Sequence, residues 1–276
     1  MKIAVTGCGW FGLSLARSLK QKGYNVVGSK RDSAACASLA AEGIEAVPLT
    51  LPREGEPEAV HSLVDVDAMV INIPPGLRRG DNDYLDRLAS LKSLLIPGRI
   101  KKLIFISTTG VYPNTGKVTE FDAAPHSAVS ETLLAAESMF GEGAGLLAEN
   151  GQCCVVRFAG LVGPGRHPGR FLAGKLDVKG GNQTVNLVHL DDCVAGVTRL
   201  LESDTASGIY NLCAPEHLSK KVFYSQAALA LGLPAPQFAP SDIDESSDKI
   251  VVAERIVNEL EFVYQHPELL PMLSAC

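Results

Sequence analysis

The strongest constraint on this chain is a run of spaced glycines between its first strand-like and first helix-like segments. Lys2 to Thr6 is a short β-branched, apolar run, and Trp10 to Lys20 has helical spacing. Gly7, Gly9 and Gly12 join them as GxGxxG. On its own that pattern says little, but after a strand and at a helix start it has a physical meaning. Gly7 allows the tight turn, Gly9 lets a diphosphate approach the main chain, and Gly12 lets the helix pack closely on the strand. The amides of Trp10 and Phe11 stand at the helix start, where a helix favours anions. The expected ligand is a dinucleotide.

The rest of the N-terminal half has the rhythm this requires. Further strands are expected at Tyr24–Gly28, Ile44–Leu49, Asp67–Ile73, Lys102–Ser107 and Cys153–Phe158. Helices are expected at Ser33–Glu42, Tyr84–Leu95 and Val129–Leu147. Solid apolar strands alternating with helices predict an α/β fold: a Rossmann-like, doubly wound parallel sheet. Beyond Phe158 the pattern loosens. Gly163 to Arg170 is a Gly/Pro/Arg loop, a strand at Val185–Leu190 leads to a helix opening at Asp191 or Asp192, and the tail from Pro234 is punctuated by prolines. The expected division is a dinucleotide-binding domain over residues 1–165 and a small C-terminal substrate lobe over 166–276, with about 185–213 returning to the sheet.

The tip of the second strand bears on which dinucleotide binds. NAD sites usually place an acid there, about 20 residues past the glycines. This chain has Ser29-Lys30-Arg31, with Asp32 already turning into the next helix. A carboxylate would repel a ribose 2′-phosphate, whereas a hydroxyl and two cations suit one. The cofactor expected is therefore NADP, with NAD less favoured. Ile73 and Pro74, ending the fourth strand, and Ser107, ending the fifth, complete the cofactor list.

Composition narrows the partners. The chain has 276 residues, a net charge of −6 and 46% hydrophobic residues. It lacks the clustered cations that nucleic acid or an anionic membrane requires, and no apolar run is long enough to span a bilayer. The N-terminal apolar run is too short for a secretory leader. The seven cysteines show no CxxC spacing and read as reduced packing residues of a cytoplasmic protein. Cys8, at a helix start, has a position that favours a thiolate, although packing is the favoured role. No metal is expected, because the histidines and carboxylates show no ligand spacing.

Several stretches together resemble the extended short-chain dehydrogenase/reductases, the NAD-dependent epimerase/dehydratase family. They are Lys102 to Tyr112 (KLIFISTTGVY), Val155 to Gly165 (VVRFAGLVGPG), Val185 to Cys193 (VNLVHLDDC), Gly208 to Asn211 (GIYN) and Arg255 to Tyr264 (RIVNELEFVY). Gly165 to Phe171 (GRHPGRF) further resembles a small bacterial subgroup, the YeeZ-like proteins. The resemblance implies chemistry by a Ser/Thr and a Tyr-x-x-x-Lys, the Tyr moving the proton and the Lys lowering its proton affinity. Thr108 matches the Ser/Thr. The segment ending Leu134-Ala135-Ala136-Glu137 puts Val129 where the Tyr belongs and Leu133 where the Lys belongs. No Tyr or Lys lies between Lys117 and Arg157. The glycine spacing is also shorter than the family's usual GxxGxxG.

Other candidates for the chemistry are Tyr112, a phenol at the strand end that matches a family Tyr serving structure and for which packing is the favoured role, and His167, between Arg166 and Arg170. Arg166, His167 and Arg170 together could hold a phosphate or carboxylate of a small-molecule substrate. His189, before Asp191-Asp192, reads as a structural helix-capping residue. Two readings stay open: an NADP-dependent oxidoreductase or epimerase-like enzyme of non-standard route, and an NADP-binding sensor or scaffold without turnover. The family often pairs as a homodimer through the helix that here begins near Val129.

Overall fold

The computed structural model describes residues 1–52, 60–77, 80, 82–143, 145–240 and 248–276. Part of the proline-punctuated tail, 241–247, lies outside the described residues. In chain order the strands are β1 (Lys2–Thr6), β2 (Asn25–Lys30), β3 (Glu45–Pro48), β4 (Ala68–Ile71), β5 (Ile100–Thr108), β6 (Gly116–Val118), β7 (Leu147–Phe158), β8 (Gly160–Val162), β9 (Leu187–His189), β10 (Gly208–Leu212) and β11 (Lys249–Val251). The helices are α1 (Trp10–Gln21), α2 (Ser33–Ala40), α3 (His61–Val64), α4 (Tyr84–Leu94), α5 (Ala128–Phe140), α6 (Gly169–Leu172), α7 (Leu190–Glu202), α8 (Lys220–Ala230), α9 (Glu254–Leu260) and α10 (Leu269–Met272).

The main sheet has the order β10-β7-β5-β4-β1-β2-β3. β1 lies in parallel register between β2 and β4, with Val5 opposite both Gly28 and Val70. This is the Rossmann-like parallel sheet expected from the alternating strands. The order reverses at β1, and in such sheets ligands bind where it does.

The chain forms two compact units. One comprises Met1–Ser107, Ser127–Val156 and Val197–Ile209; the other comprises Thr108–His126, Arg157–Gly196 and Tyr210–Cys276. The chain passes between them several times. The first unit is built on the sheet, with Ile3, Leu15, Met69 and Leu103 fully buried. The second has its own apolar core of Val162, Leu187, Phe223, Ala227, Leu269 and Met272. In that unit α6 packs tightly on α8: a Cβ at Gly169 would lie 2.1 Å from the Ala227 carbonyl oxygen. The GRHPGRF stretch therefore needs its second glycine for packing.

One predicted helix is shorter than its pattern suggests. α5 stops at Phe140 instead of running to Leu147, and β7 begins at Leu147 rather than Cys153. Gly143 and Gly145 adopt φ of 76° and 78°, which ends helical winding and redirects the chain. β9 falls within the strand expected at Val185–Leu190, whereas its partner β8 and the pair β6·β11, three residues per strand, escape the sequence pattern because they are too short for a period to register.

Candidate functional site

The glycine loop is built largely from main chain. Gly7 has φ +82°, and a Cβ there would lie 2.2 Å from the Asn72 carbonyl oxygen. At Gly12 a Cβ would lie 2.4 Å from the Gly7 carbonyl oxygen. These two glycines are required by packing within the protein. Gly9 differs: a Cβ there would meet nothing within 4 Å. Its missing side chain leaves open space at the start of α1, and no side chain caps that helix. First-turn amides of a helix have no acceptors within it, so such an end favours an anion. Trp10 is half-buried there. Phe11 is buried, so its side chain belongs to the core.

Two side chains brace the loop. Gly7 N–H donates to Ser29 Oγ at 3.0 Å, and Cys8 N–H donates to the Ser29 carbonyl at 2.9 Å. Asn72 Nδ2 donates to the Gly7 carbonyl at 2.9 Å, while Asn72 N–H donates to the Thr6 carbonyl. Ser29 is only 2% exposed. The Ser29 oxygen thus holds the loop's first turn by accepting from Gly7, a bond separate from the donation to a phosphate expected of its hydroxyl. The bracing role of Asn72 was missed in the sequence. Its only signal was a polar side chain directly after a buried strand.

Beyond Ser29 the chain turns outward. Lys30 ends β2 half-buried and Arg31 is exposed. Asp32 is the N-cap of α2, its carboxylate accepting from Ala35 N–H at 2.7 Å. The acid nearest the tip is thereby committed to its own helix. Ile73 is half-buried and Pro74 exposed, after the end of β4. Cys8 is no thiolate: burial pushes its thiol up to about 12, and its Sγ donates to the Val5 carbonyl.

At the end of β5, Ser107 is buried and donates to Glu137 Oε1 at 2.5 Å. Its hydroxyl is committed to that carboxylate, so as a cofactor contact it can offer its backbone. Glu137 itself is 6% exposed and lies on α5 in helical register with Val129 and Leu133. Val129 is 47% exposed and Leu133 is 4% exposed. No phenol or ammonium stands on that face of α5.

In the second unit, Thr108 accepts from Gly110 N–H at 3.3 Å and caps the short turn Thr109–Val111. Tyr112 is fully buried. Its hydroxyl donates to Asn211 Oδ1 at 2.7 Å and accepts from Arg157 Nη1 at 2.8 Å. Burial pushes the phenol up to about 12, against the lowering influence of Arg157. Its donor and acceptor are both used inside the core, the packing role favoured for it over that of proton donor. Arg157 also donates to the Glu120 carbonyl, and the Glu120 carboxylate accepts from Asn211 N–H. These residues form one buried network.

His167 is half-buried, and its Nδ1 accepts from Gly169 N–H at 3.0 Å. Burial, and then the charge of Arg170, lower its pKa, so the neutral ring prevails near neutrality. Arg166 and Arg170 are exposed on either side. His189 is fully buried, bonded through Nε2 to the Ala275 carbonyl and through Nδ1 to Asp191 N–H. His189, Asp191 and His266 offer ligand-type atoms within 4.8 Å of one another. No sequence spacing announces this group, because His266 is 75 residues from Asp191. Both ring nitrogens of His189 have protein partners.

An open parallel sheet, a glycine loop at its reversal and a Thr-capped turn after β5 define a dinucleotide-binding protein of the dehydrogenase/epimerase type. The chain belongs to the NAD dependent epimerase/dehydratase family, whose model matches residues 3–213. It is 40% identical to Protein YeeZ of Escherichia coli strain K12 over 281 aligned residues, 98% of each chain. Among solved structures it resembles the UDP-glucuronic acid 4-epimerase of Bacillus cereus in complex with UDP-glucuronic acid and NAD. The TM-score is 0.77 at 21% identity, covering 100% of this chain and 97% of that one. It also resembles the human epimerase family protein SDR39U1 with NADPH, at TM-score 0.69 and 22% identity over 99% and 98% of the two chains. At these identities the two structures speak for the fold. Among the described residues, no helix is long and apolar enough to cross a membrane.

Proposed function

We propose that this chain binds NADP in the glycine loop and acts on a small carbonyl or nucleotide-sugar-like substrate as an oxidoreductase or epimerase, by a route without Tyr-x-x-x-Lys. The observation that carries the cofactor reading is the loop itself: two glycines required by packing and a third opening onto empty space. Gly9 and the start of α1 receive the diphosphate. Lys30 and Arg31 receive the 2′-phosphate, with Asp32 withdrawn into its helix cap. When bound, the nicotinamide supplies hydride chemistry. Thr108 orients the substrate oxygen, and Arg166, His167 and Arg170 hold an anionic group of the substrate. That human SDR39U1 is described with NADPH and the Bacillus cereus epimerase with NAD leaves both cofactors represented among its structural likenesses.

A second reading has its own support. α5 carries Val129 and Leu133 on the face where a Tyr and a Lys would serve, and Ser107 and Tyr112 are bonded internally. A protein so equipped can bind cofactor as a sensor or scaffold without turning it over. Fluorescence titration with NADPH and NADH tests the first point, with tighter NADPH binding expected. Tighter NADH binding overturns the preference, and silence with both overturns the cofactor. NADPH oxidation across a panel of carbonyl compounds and nucleotide sugars then separates the readings. Turnover that Gly9→Val abolishes supports the enzyme, and binding without turnover supports the sensor.

A further inference from the structure

The second unit holds a lysine that the mechanism so far does not use. Lys249 opens β11, and its side chain runs to the Thr108-capped turn. There Nζ donates to the Thr109 carbonyl at 3.1 Å and the Tyr112 carbonyl at 3.3 Å. The backbone around it is unusually well fixed. Asn186 brackets β11, giving its Nδ2 to the Lys249 carbonyl and taking Val251 N–H on its Oδ1, both at 2.8 Å. Asp248 accepts from Lys249 N–H and from Thr184 N–H at 2.8 Å. β11 also pairs with β6, placing Lys249 opposite Gly116. A surface lysine sweeps a wide volume, but this one is anchored at both ends.

The charge of this head group is poorly compensated. Both of its partners are neutral carbonyl oxygens, and no carboxylate forms an ion pair with it among the described residues. Burial lowers its pKa from the ordinary lysine value, as expected of a cation taken out of water without a counter-ion. An ammonium has three N–H donors, and the two carbonyls use two of them. A half-buried cation with a spare donor, fixed beside the turn that Thr108 caps, is an arrangement that an anionic oxygen completes.

We propose that Lys249 is a substrate-binding residue whose third N–H receives a carboxylate oxygen of the substrate beside the Thr108 turn. This rests on the reading that the Thr108 turn serves the substrate. It adds a second anion-receiving position, far from the Arg166–Arg170 loop in sequence. The two carbonyl bonds aim the ammonium, and the ligand neutralises it.

The test uses the full chain with isotope-labelled lysine and oxalate as the probe. The Lys249 ammonium signal is identified by its loss in Lys249→Gln, whose amide can still donate to the two carbonyls. Oxalate is expected to shift that signal saturably, and Lys249→Gln to weaken oxalate binding about tenfold or more while leaving NADPH affinity unchanged. Lys249→Arg, which keeps the charge, should retain much of the binding and serves if the Gln variant does not fold. A Lys249 signal indifferent to oxalate overturns the proposal, as does a Gln variant that binds oxalate like the parent. A Gln variant that loses oxalate and NADPH together also overturns it, since Lys249 would then be serving the fold. A chain that shifts with oxalate but never binds NADPH keeps this site and loses the cofactor reading.

Discussion

The glycine loop of the first unit and the Thr108 turn of the second are both short connections after a buried strand, yet they work by different means. The loop uses main chain: its specificity is steric, set by where a Cβ fits and where it does not. The turn depends on side chains: Thr108 caps it locally, while Tyr112 and Lys249 each act through a polar atom whose partners come from distant parts of the sequence. A site made of backbone shows its function in residue types alone. A site made of side chains shows it only after the chain has folded and the partners have been assigned.

The largest expected effect follows from the steric half of that contrast. Gly7→Ala forces a left-handed φ on a residue with a Cβ and drives that Cβ into the Asn72 carbonyl. Strain and overlap of this kind cost about 1–3 kcal/mol each. Gly9→Ala should change stability by less than about 0.5 kcal/mol, because its Cβ enters open space. Its loss should fall on NADPH affinity instead, by about tenfold or more. Urea unfolding and NADPH titration of both variants check this. Equal stability losses would mean that Gly9, like Gly7, serves packing, and the distinction between the loop's glycines would be gone.

Next in size is Tyr112→Phe. Removing the hydroxyl takes the partner from Asn211 Oδ1 and one partner from Arg157 Nη1, both in the core. A destabilisation of about 1–3 kcal/mol is expected, with turnover, where present, changing no more than stability explains. A variant as stable as the parent but inactive would return the phenol to the chemistry.

The same contrast decides what could be read in advance. β1, the glycine loop, α1 and the doubly wound order follow from apolar runs and glycine spacing, which are local properties. That Asp32 already turns into the next helix was legible for the same reason, and the structure makes it that helix's N-cap. The burial of Ser29 was not, because it depends on Gly7 lying above it 22 residues away in sequence. For Tyr112 packing was the favoured role, but its partners could not be named, because Arg157 and Asn211 are 45 and 99 residues distant. Lys249 gave no sign at all: it stands on a three-residue strand, 137 residues from Tyr112 and 140 from Thr109. Glu137 entered the sequence argument only as an alignment landmark, although its carboxylate holds Ser107.

The smallest effect is a separation of the two units by pH. In the second unit His167, His189 and His217 all have pKa values lowered chiefly by burial, with Arg170 adding to the effect at His167 and His266 at His189. A histidine lowered in the folded state stays neutral there while the unfolded chain takes up protons near its ordinary value of about 6.5. Its contribution is therefore intact above that pH and is lost as the pH falls from there towards the folded value. In the first unit Asp65 and Asp67 are lowered, Asp65 chiefly by its bond to Arg99 and Asp67 chiefly by Lys2 N–H. Their contribution is present above the ordinary carboxylate range and is lost only as pH falls through and below it. Asp192 in the second unit is raised by burial and so resists acid, but only towards the carboxylate range. Between about pH 7 and pH 5.5 the histidines therefore act first. Amide hydrogen exchange, corrected for intrinsic rates, should show protection in β9 and in residues 190–196 of α7 falling across that interval while β1 holds. Simultaneous loss in β1 would mean that the units unfold as one, and that the division between a backbone-built and a side-chain-built half carries no thermodynamic boundary.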